Sequence, residues 1–336
     1  MLLRMRAASL NYRDLVVVRG EYGTFDLPLV PVSDGVGEVV ATGAQVTRFR
    51  VGDRVCPAYV PDWIDGAPDE ALVRQRLGGP LDGVFAELLV VPETAAVAVP
   101  LHLSDVQAAT LPIAGVTAWR VLHGGAPLVP GSTVVVQGTG GVALFCLQLA
   151  RLSGARVIVV SGTASRGARL QALGAECVID RHAPGGWDRE VLRATGGRGA
   201  ELVVDVGGGD GVERSIACTR IGGTVALVGF LSGFQARFDL SLAMRRQVRL
   251  QAVSVGSRAD FESLTRAIHS SGLEPVVDRV FPLTEYAEAF AHLAAGAHMG
   301  KIALSFSGSS GEFVGRSRAK QGSVERNRFA VAGSRA

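Results

Sequence analysis

Between Ser132 and Ser257, short apolar runs rich in β-branched residues alternate with segments of helical period, and few folds satisfy that alternation other than parallel strands joined by helical crossovers. The runs Thr133–Gln137, Arg156–Val160, Glu176–Asp180, Leu202–Val206, Thr224–Gly229 and Leu250–Val255 are apolar enough to be covered on both faces, as parallel strands are. Val142–Leu152, Ser165–Leu173 and Asp188–Ala194 supply helical crossovers, the second opening on a serine suited to an N-cap. Together they predict an α/β, doubly wound parallel sheet. Upstream, Leu2–Ala8, Pro28–Val40, Asp53–Val60, Gly83–Pro92 and Thr94–Val99 read as short strands broken by glycine and proline, an irregular β-rich unit. Downstream, Phe261–Ser270 and Glu285–Ala295 have helical period and Val276–Phe281 and Lys301–Phe306 are strand-like. From Ser307 to Ala336 the composition turns to Ser, Gly and Arg, which predicts disorder.

At 336 residues the chain exceeds what one hydrophobic core usually organises, so two domains are expected. A hydrophobic fraction of 48% excludes disorder as the main state. The net charge is +3, but residues 307–336 hold six basic and two acidic side chains, leaving the body at −1. A nearly neutral body argues against nucleic acid as a partner. No apolar run reaches the ~18 residues of a membrane span, and no signal-peptide pattern opens the chain. Cys56, Cys146, Cys177 and Cys218 lie far apart, giving neither a disulfide framework nor a zinc cluster. A soluble cytoplasmic protein is expected.

After the strand Thr133–Gln137 comes Gly138-Thr139-Gly140-Gly141-Val142-Ala143, a G-x-G-x-x-A turn into a helix. The first glycine permits the tight turn, the second lets the backbone approach a pyrophosphate, and Ala143 allows close helix–sheet packing; a dinucleotide is the expected ligand. An acid at the end of the second strand would bond a ribose 2′-hydroxyl and repel a 2′-phosphate. This chain instead reads Ser161-Gly162-Thr163-Ala164-Ser165-Arg166, offering hydroxyls and a guanidinium, with Arg181 a second candidate, so NADP(H) is expected over NAD(H). Arg166 also reads as an ordinary solvated helix arginine. Further glycines at strand ends, at Gly207–Gly209, Gly229–Gly233 and Gly256, suit a backbone lining the cofactor or ordinary turns.

Asn11-Tyr12-Arg13-Asp14, Gly35-Val36-Gly37-Glu38-Val39-Val40, Val51-Gly52-Asp53-Arg54-Val55, Gly83-Val84-Phe85-Ala86-Glu87, Gly115-Val116-Thr117-Ala118-Trp119, the Gly138 turn and Gly300-Lys301-Ile302 together resemble the medium-chain dehydrogenase/reductase superfamily, over residues 1–306. The resemblance implies a GroES-like, β-rich catalytic domain at 1–103, a Rossmann nucleotide-binding domain at 104–272, and a segment at 273–306 returning to the first domain, with 307–336 as a tail. Where zinc alcohol dehydrogenases place their ligands, this chain has Asn11, Ser33-Asp34 and Ile113, and Cys56 stands alone where the structural-zinc cysteines would cluster. The six histidines, His102, His123, His182, His269, His292 and His298, are scattered. No metal site is expected, which is similar to the zinc-free quinone oxidoreductases.

That resemblance implies hydride transfer to a quinone or α,β-unsaturated carbonyl, acceptors that need no metal-stabilised alkoxide. By the family pattern Asn11 and Thr117 would contact the nicotinamide end, Leu231 and Ser232 would lie along its ribose, and Lys301 would close the site. Tyr12 and Tyr59 are candidate donors to an oxyanion, or packed rings. A homodimer paired through the strand near Leu250–Val255 is expected. Relatives begin with further strands before the Asn11 motif; either the start codon is misassigned or the catalytic domain is short, and a missing edge would expose apolar surface and unpaired backbone. An alcohol dehydrogenase-like activity and a non-catalytic NADPH-binding protein remain alternatives.

Overall fold

The computed structural model describes residues 1–23, 25–125 and 128–306, so the tail expected at 307–336 lies outside the described residues. The first part contains β1 (Leu2–Leu10), α1 (Tyr12–Val18), β2 (Asp34–Ala41), β3 (Arg54–Pro57), α2 (Glu70–Arg74), β4 (Leu88–Val90), β5 (Ala96–Ala98), α3 (Asp105–Ala108) and α4 (Val116–His123). The second contains β6 (Thr133–Gln137), α5 (Gly141–Leu152), β7 (Arg156–Ser161), α6 (Gly167–Ala172), β8 (Cys177–Asp180), α7 (Trp187–Ala194), β9 (Ala200–Asp205), α8 (Gly211–Cys218), β10 (Thr219–Leu227), α9 (Leu240–Arg246), β11 (Arg249–Ala252) and α10 (Arg258–Ser271). The chain ends in β12 (Val277–Pro282), α11 (Tyr286–Ala295) and β13 (Lys301–Ser305).

β6 to β11 form one sheet in the order β8-β7-β6-β9-β10-β11, every neighbouring pair parallel. This is the doubly wound, Rossmann order, and it follows from the strand sequences. Val134, Val136, Val157, Val159 and Val204 point into one core with α4, α5 and α10. Val135, Ile158, Val160, Val203 and Val225 alternate into a second core on the opposite face, with α7 and α8. Side chains at period two thus bury both faces.

The other sheet runs β12-β13-β1-β2-β3-β5, with β4 against β1. β13 pairs antiparallel with β1, so residues 301–305 complete a sheet begun at the other end of the chain. The register sets Ser9 opposite Asp34 and Leu10 opposite Ile302. Asn11, Asp34 and Lys301 therefore meet at one end of this sheet. β1 lies inside it, between β13 and β2, while Leu88 and Val90 of β4 are exposed.

Several expected strands shrink. The segment 28–40 becomes a strand only from Asp34, because Pro28 and Pro31 have no N–H to donate. Gly83, Val84 and Phe85 donate to Val30, Val32 and Pro31 and are taken up by that loop, leaving Leu88–Val90 as strand. α1 forms in spite of its β-branched Val16-Val17-Val18 run: the Asp14 carboxylate accepts the Asn11 backbone N–H at its start, and Leu15 and Val16 are buried.

Candidate active site and nucleotide cleft

At the sheet end where β1, β2 and β13 meet, four charged side chains are buried together: Arg13, Asp14, Asp34 and Lys301. Lys301 Nζ donates to the Asn11 side-chain oxygen at 2.6 Å and the Leu10 carbonyl at 2.7 Å, and lies 3.8 Å from Asp34. Asn11 Nδ2 donates to Asp34 Oδ2 at 2.9 Å, and the Ile113 backbone N–H reaches the same oxygen at 3.3 Å. Ser33 Oγ donates to Asp14 at 2.9 Å and accepts from Arg13, whose guanidinium also holds the carbonyls of Leu77, Gly78 and Gly79. Two cations against two anions keep the buried group neutral overall, as burial demands. Burial pushes the Asp34 carboxyl up to about 7 against the pull of Lys301 and Asn11. It likewise raises Asp14 and lowers Lys301, each opposed by its neighbours of opposite charge.

The cluster abuts the glycine turn. The would-be Cβ of Gly141 lies 2.4 Å from Lys301 Cδ, and Gly300 N–H donates to the Thr139 carbonyl at 2.9 Å. At that turn Gly138 has φ +80°, which favours glycine, whereas Gly140 has an ordinary φ of −77° and nothing within 4 Å of a built Cβ. Gly140 caps α5 without a side-chain hydrogen bond, and α5 has no acid in its first turn. The first backbone N–H groups of α5 and the open space beside Gly140 fit a pyrophosphate, Val142 is half-buried in that turn, and Ala143 packs beneath. The next strand end is organised by a residue that sequence reading missed. Buried Asp205 accepts from Gly207 N–H at 3.0 Å, Gly208 N–H at 2.8 Å, Ser215 at 2.6 Å and Gln137 at 3.3 Å. Gly207 in turn accepts from Ser232 N–H at 2.8 Å, tying together the loops after β9 and β10. An acid ending an apolar strand before three glycines was the available signal.

The remaining candidates divide. Ser161 is engaged with the backbone of Thr163, and Gly162 lies beneath the Arg181 guanidinium, whose atoms stand 3.3–3.4 Å from a built Cβ. Arg181 thus covers the end of β7, while Arg166 turns away to donate to Thr139 Oγ1 and the Ala297 carbonyl. Thr117 is buried and donates to the Ser254 carbonyl at 3.2 Å, so its hydroxyl holds α4 to the segment that follows β11. Tyr59, expected as a donor to an oxyanion, is buried with the Arg13 guanidinium 5.0 Å from its ring, and burial raises its hydroxyl; it packs the core instead. Lys301, expected at the cofactor, directs its ammonium to Asn11. Tyr12 is 40% exposed and meets Phe230 edge-on at 6.1 Å, and Phe230 stacks on Phe234 at 4.5 Å, forming an aromatic lip with exposed Leu231 and Ser232.

The ligand positions of the zinc enzymes do converge here, but Asn11, Ser33-Asp34 and Ile113 offer an amide, a hydroxyl, one carboxylate and an alkyl group. Among the described residues no group of three or more His, Cys, Asp or Glu could hold a metal ion. That donor set does not fit tetrahedral zinc. No helix among the described residues is long and apolar enough to cross a membrane.

The two sheets also define a class. Residues 1–101 match the family described as alcohol dehydrogenase GroES-like domain, and residues 141–270 match the family described as zinc-binding dehydrogenase. The chain belongs to the medium-chain dehydrogenase/reductase superfamily. It is 36% identical over 310 residues to a zinc-type alcohol dehydrogenase-like protein of Schizosaccharomyces pombe, covering 90% of each chain. It is 30% identical over 312 residues to a quinone oxidoreductase of Pseudomonas aeruginosa, again covering 90% of each. A crystal structure assigned as an alcohol dehydrogenase from Sinorhizobium meliloti 1021 superposes with a TM-score of 0.86 at 41% identity, covering 91% of this chain and 90% of that one. Within the superfamily the chain is an NAD(P)-dependent oxidoreductase of the alcohol dehydrogenase-like kind.

Proposed function

We propose that this protein is an NADPH-dependent, zinc-independent reductase that passes hydride to a quinone or an α,β-unsaturated carbonyl. The observation that carries the reading is the Asn11–Lys301–Asp34 group, its two charged side chains buried, which stands where a metal-dependent relative would gather its ligands. Bound NADPH supplies the hydride. The chain's own residues would hold its pyrophosphate at the Gly138–Val142 turn, cover its adenosine end with Arg181, and leave the acceptor between Asn11 and the Tyr12–Phe230 lip. An ammonium cannot bind and acidify an alcohol as a Lewis acid does, so acceptors that take hydride directly suit the site better than plain alcohols. The absence of an acid at the end of β7 and the guanidinium over Gly162 support NADPH over NADH.

The test is oxidation of NADPH and NADH by purified, metal-assayed protein with a panel of quinones and enones. Turnover with NADPH at substoichiometric zinc is the expected result. The names of the S. pombe relative and of the matched family favour a second reading, zinc-dependent alcohol dehydrogenation. Stoichiometric zinc and alcohol oxidation would establish it, and tight NADPH binding without turnover would leave a non-catalytic binding protein.

The same reading takes the protein as a cytoplasmic homodimer. Its four cysteines are unpaired, which suits a reducing compartment. Among the described residues β11 is an edge strand of its sheet, and exposed Leu240, Met244 and Leu250 lie on α9 and β11. Light scattering at twice the chain mass is the expected result.

A further inference from the structure

We propose that the Asn11 amide is the oxyanion donor of this active site, and that Lys301 and Asp34 are positioning residues that lock it in the donating orientation. The inference rests on the reductase reading above and adds to it the group that takes up the acceptor's developing charge.

Asn11 sits at the N-cap of α1, where an asparagine side chain ordinarily accepts a hydrogen bond from the first turn of its helix. Here the Asp14 backbone N–H donates to the Asn11 backbone carbonyl at 3.0 Å, and the side-chain amide is turned to two charged partners. Its oxygen accepts from Lys301 Nζ at 2.6 Å and its nitrogen donates to Asp34 Oδ2 at 2.9 Å. These partners permit one orientation only. An ammonium has donors and no acceptor, so a flipped amide would oppose donor to donor at Lys301, and that contact fixes the amide whether or not Asp34 is ionised. Both partners are themselves buried and held, Lys301 by the Leu10 carbonyl and Asp34 by the Ile113 N–H.

Asn11 Nδ2 carries two hydrogens, and one is engaged by Asp34. The second has no hydrogen-bond partner among the described residues, and Asn11 is only half-buried, beside exposed Tyr12 on the aromatic lip. The ammonium on its carbonyl draws charge toward oxygen and strengthens that remaining N–H as a donor. When hydride adds to the β-carbon of an enone, a C–H bond forms, the C=C π pair shifts toward the carbonyl, and negative charge collects on the carbonyl oxygen. The Asn11 N–H stabilises that oxygen, and a proton from water then reaches the α-carbon to give the saturated carbonyl. A quinone follows the same balance, taking hydride and then a proton from water to become a hydroquinone.

The experiment uses the full chain with NADPH, 2-cyclohexenone and 1,4-benzoquinone. Removing one oxyanion donor costs about 10²-fold in kcat, so Asn11→Ala is expected to lose that much while the NADPH Kd changes less than about threefold. Asn11→Ser, which keeps a short donor, is expected to recover part of the rate and also guards against misfolding of the alanine variant. Lys301→Met is expected to lose about tenfold in kcat, and the double variant Asn11→Ala/Lys301→Met to be no slower than Asn11→Ala alone, because the lysine acts through the amide. Asn11→Ala retaining kcat within about threefold overturns the inference, as does a loss in NADPH affinity equal to the loss in kcat, or full additivity in the double variant. A wild-type protein that binds NADPH yet reduces neither acceptor overturns the reductase reading itself, before any variant is made.

Discussion

Gly140 distinguishes a glycine kept for a ligand from one kept for the fold. In the protein its φ of −77° and ψ of −175° are open to any residue, and a built Cβ meets nothing within 4 Å. Gly140→Val should therefore leave stability within about 1 kcal/mol, with some gain from a stiffer unfolded chain. A pyrophosphate needs that same space to reach the first N–H groups of α5. A branched side chain there holds the phosphate off, and losing two charge-assisted hydrogen bonds at about 1.5–3 kcal/mol each predicts NADPH and NADH binding weaker by roughly 10²–10⁴-fold. Gly300→Ala is the contrast: its φ is +96° and a built Cβ falls 2.3 Å from the Val276 carbonyl, so it should destabilise the docking of β13 and lower Tm. Nucleotide titration by fluorescence and thermal unfolding of both variants make the assay. A Gly140→Val protein that binds NADPH within threefold of wild type would refute the cradle assignment. A Tm lowered by as much as in Gly300→Ala would show that the glycine serves the fold.

Arg181→Ala should weaken NADPH by about 10–100-fold and leave NADH unchanged, the worth of one charge-assisted contact to a 2′-phosphate. Arg166→Ala, which removes bonds to Thr139 and Ala297, should instead weaken both nucleotides alike; Kd values for the two cofactors decide. Asp34 titrates near 7 in the folded chain against an ordinary 3.8, so its contribution to stability is fully present at low pH and is lost as pH rises through 7. Asp34→Asn should flatten the fall in Tm between pH 5 and 8, a window worth at most about 3 kcal/mol, and an unchanged slope would count against the buried, raised carboxyl. Phe261→Ala, truncating a ring buried in α10, should cost about 3–5 kcal/mol by denaturant unfolding without a specific effect on nucleotide choice.

Local pattern carried much of this molecule. The β6-to-β11 sheet was legible because parallel strands buried on both faces must be written as short continuous apolar runs, and Val134–Val136 and Val157–Val160 are such runs. The glycine turn was legible because a φ of +80° admits few residues other than glycine at Gly138. Side-chain direction was not legible. Arg166 and Arg181 are equivalent as letters, and only the packing of β7, β8 and the 297–300 segment turns one toward Thr139 and lays the other over Gly162. Asn11, Asp34 and Lys301 are separated by up to 290 residues, and no periodicity relates them. They meet because antiparallel pairing sets Leu10 opposite Ile302 and Ser9 opposite Asp34. The sequence alone determined the strands of the parallel sheet, the glycine turn and the scarcity of metal donors, since these depend on residue type and near neighbours. Tertiary structure decided which charges are buried against which, because burial and pairing are properties of the assembled sheets.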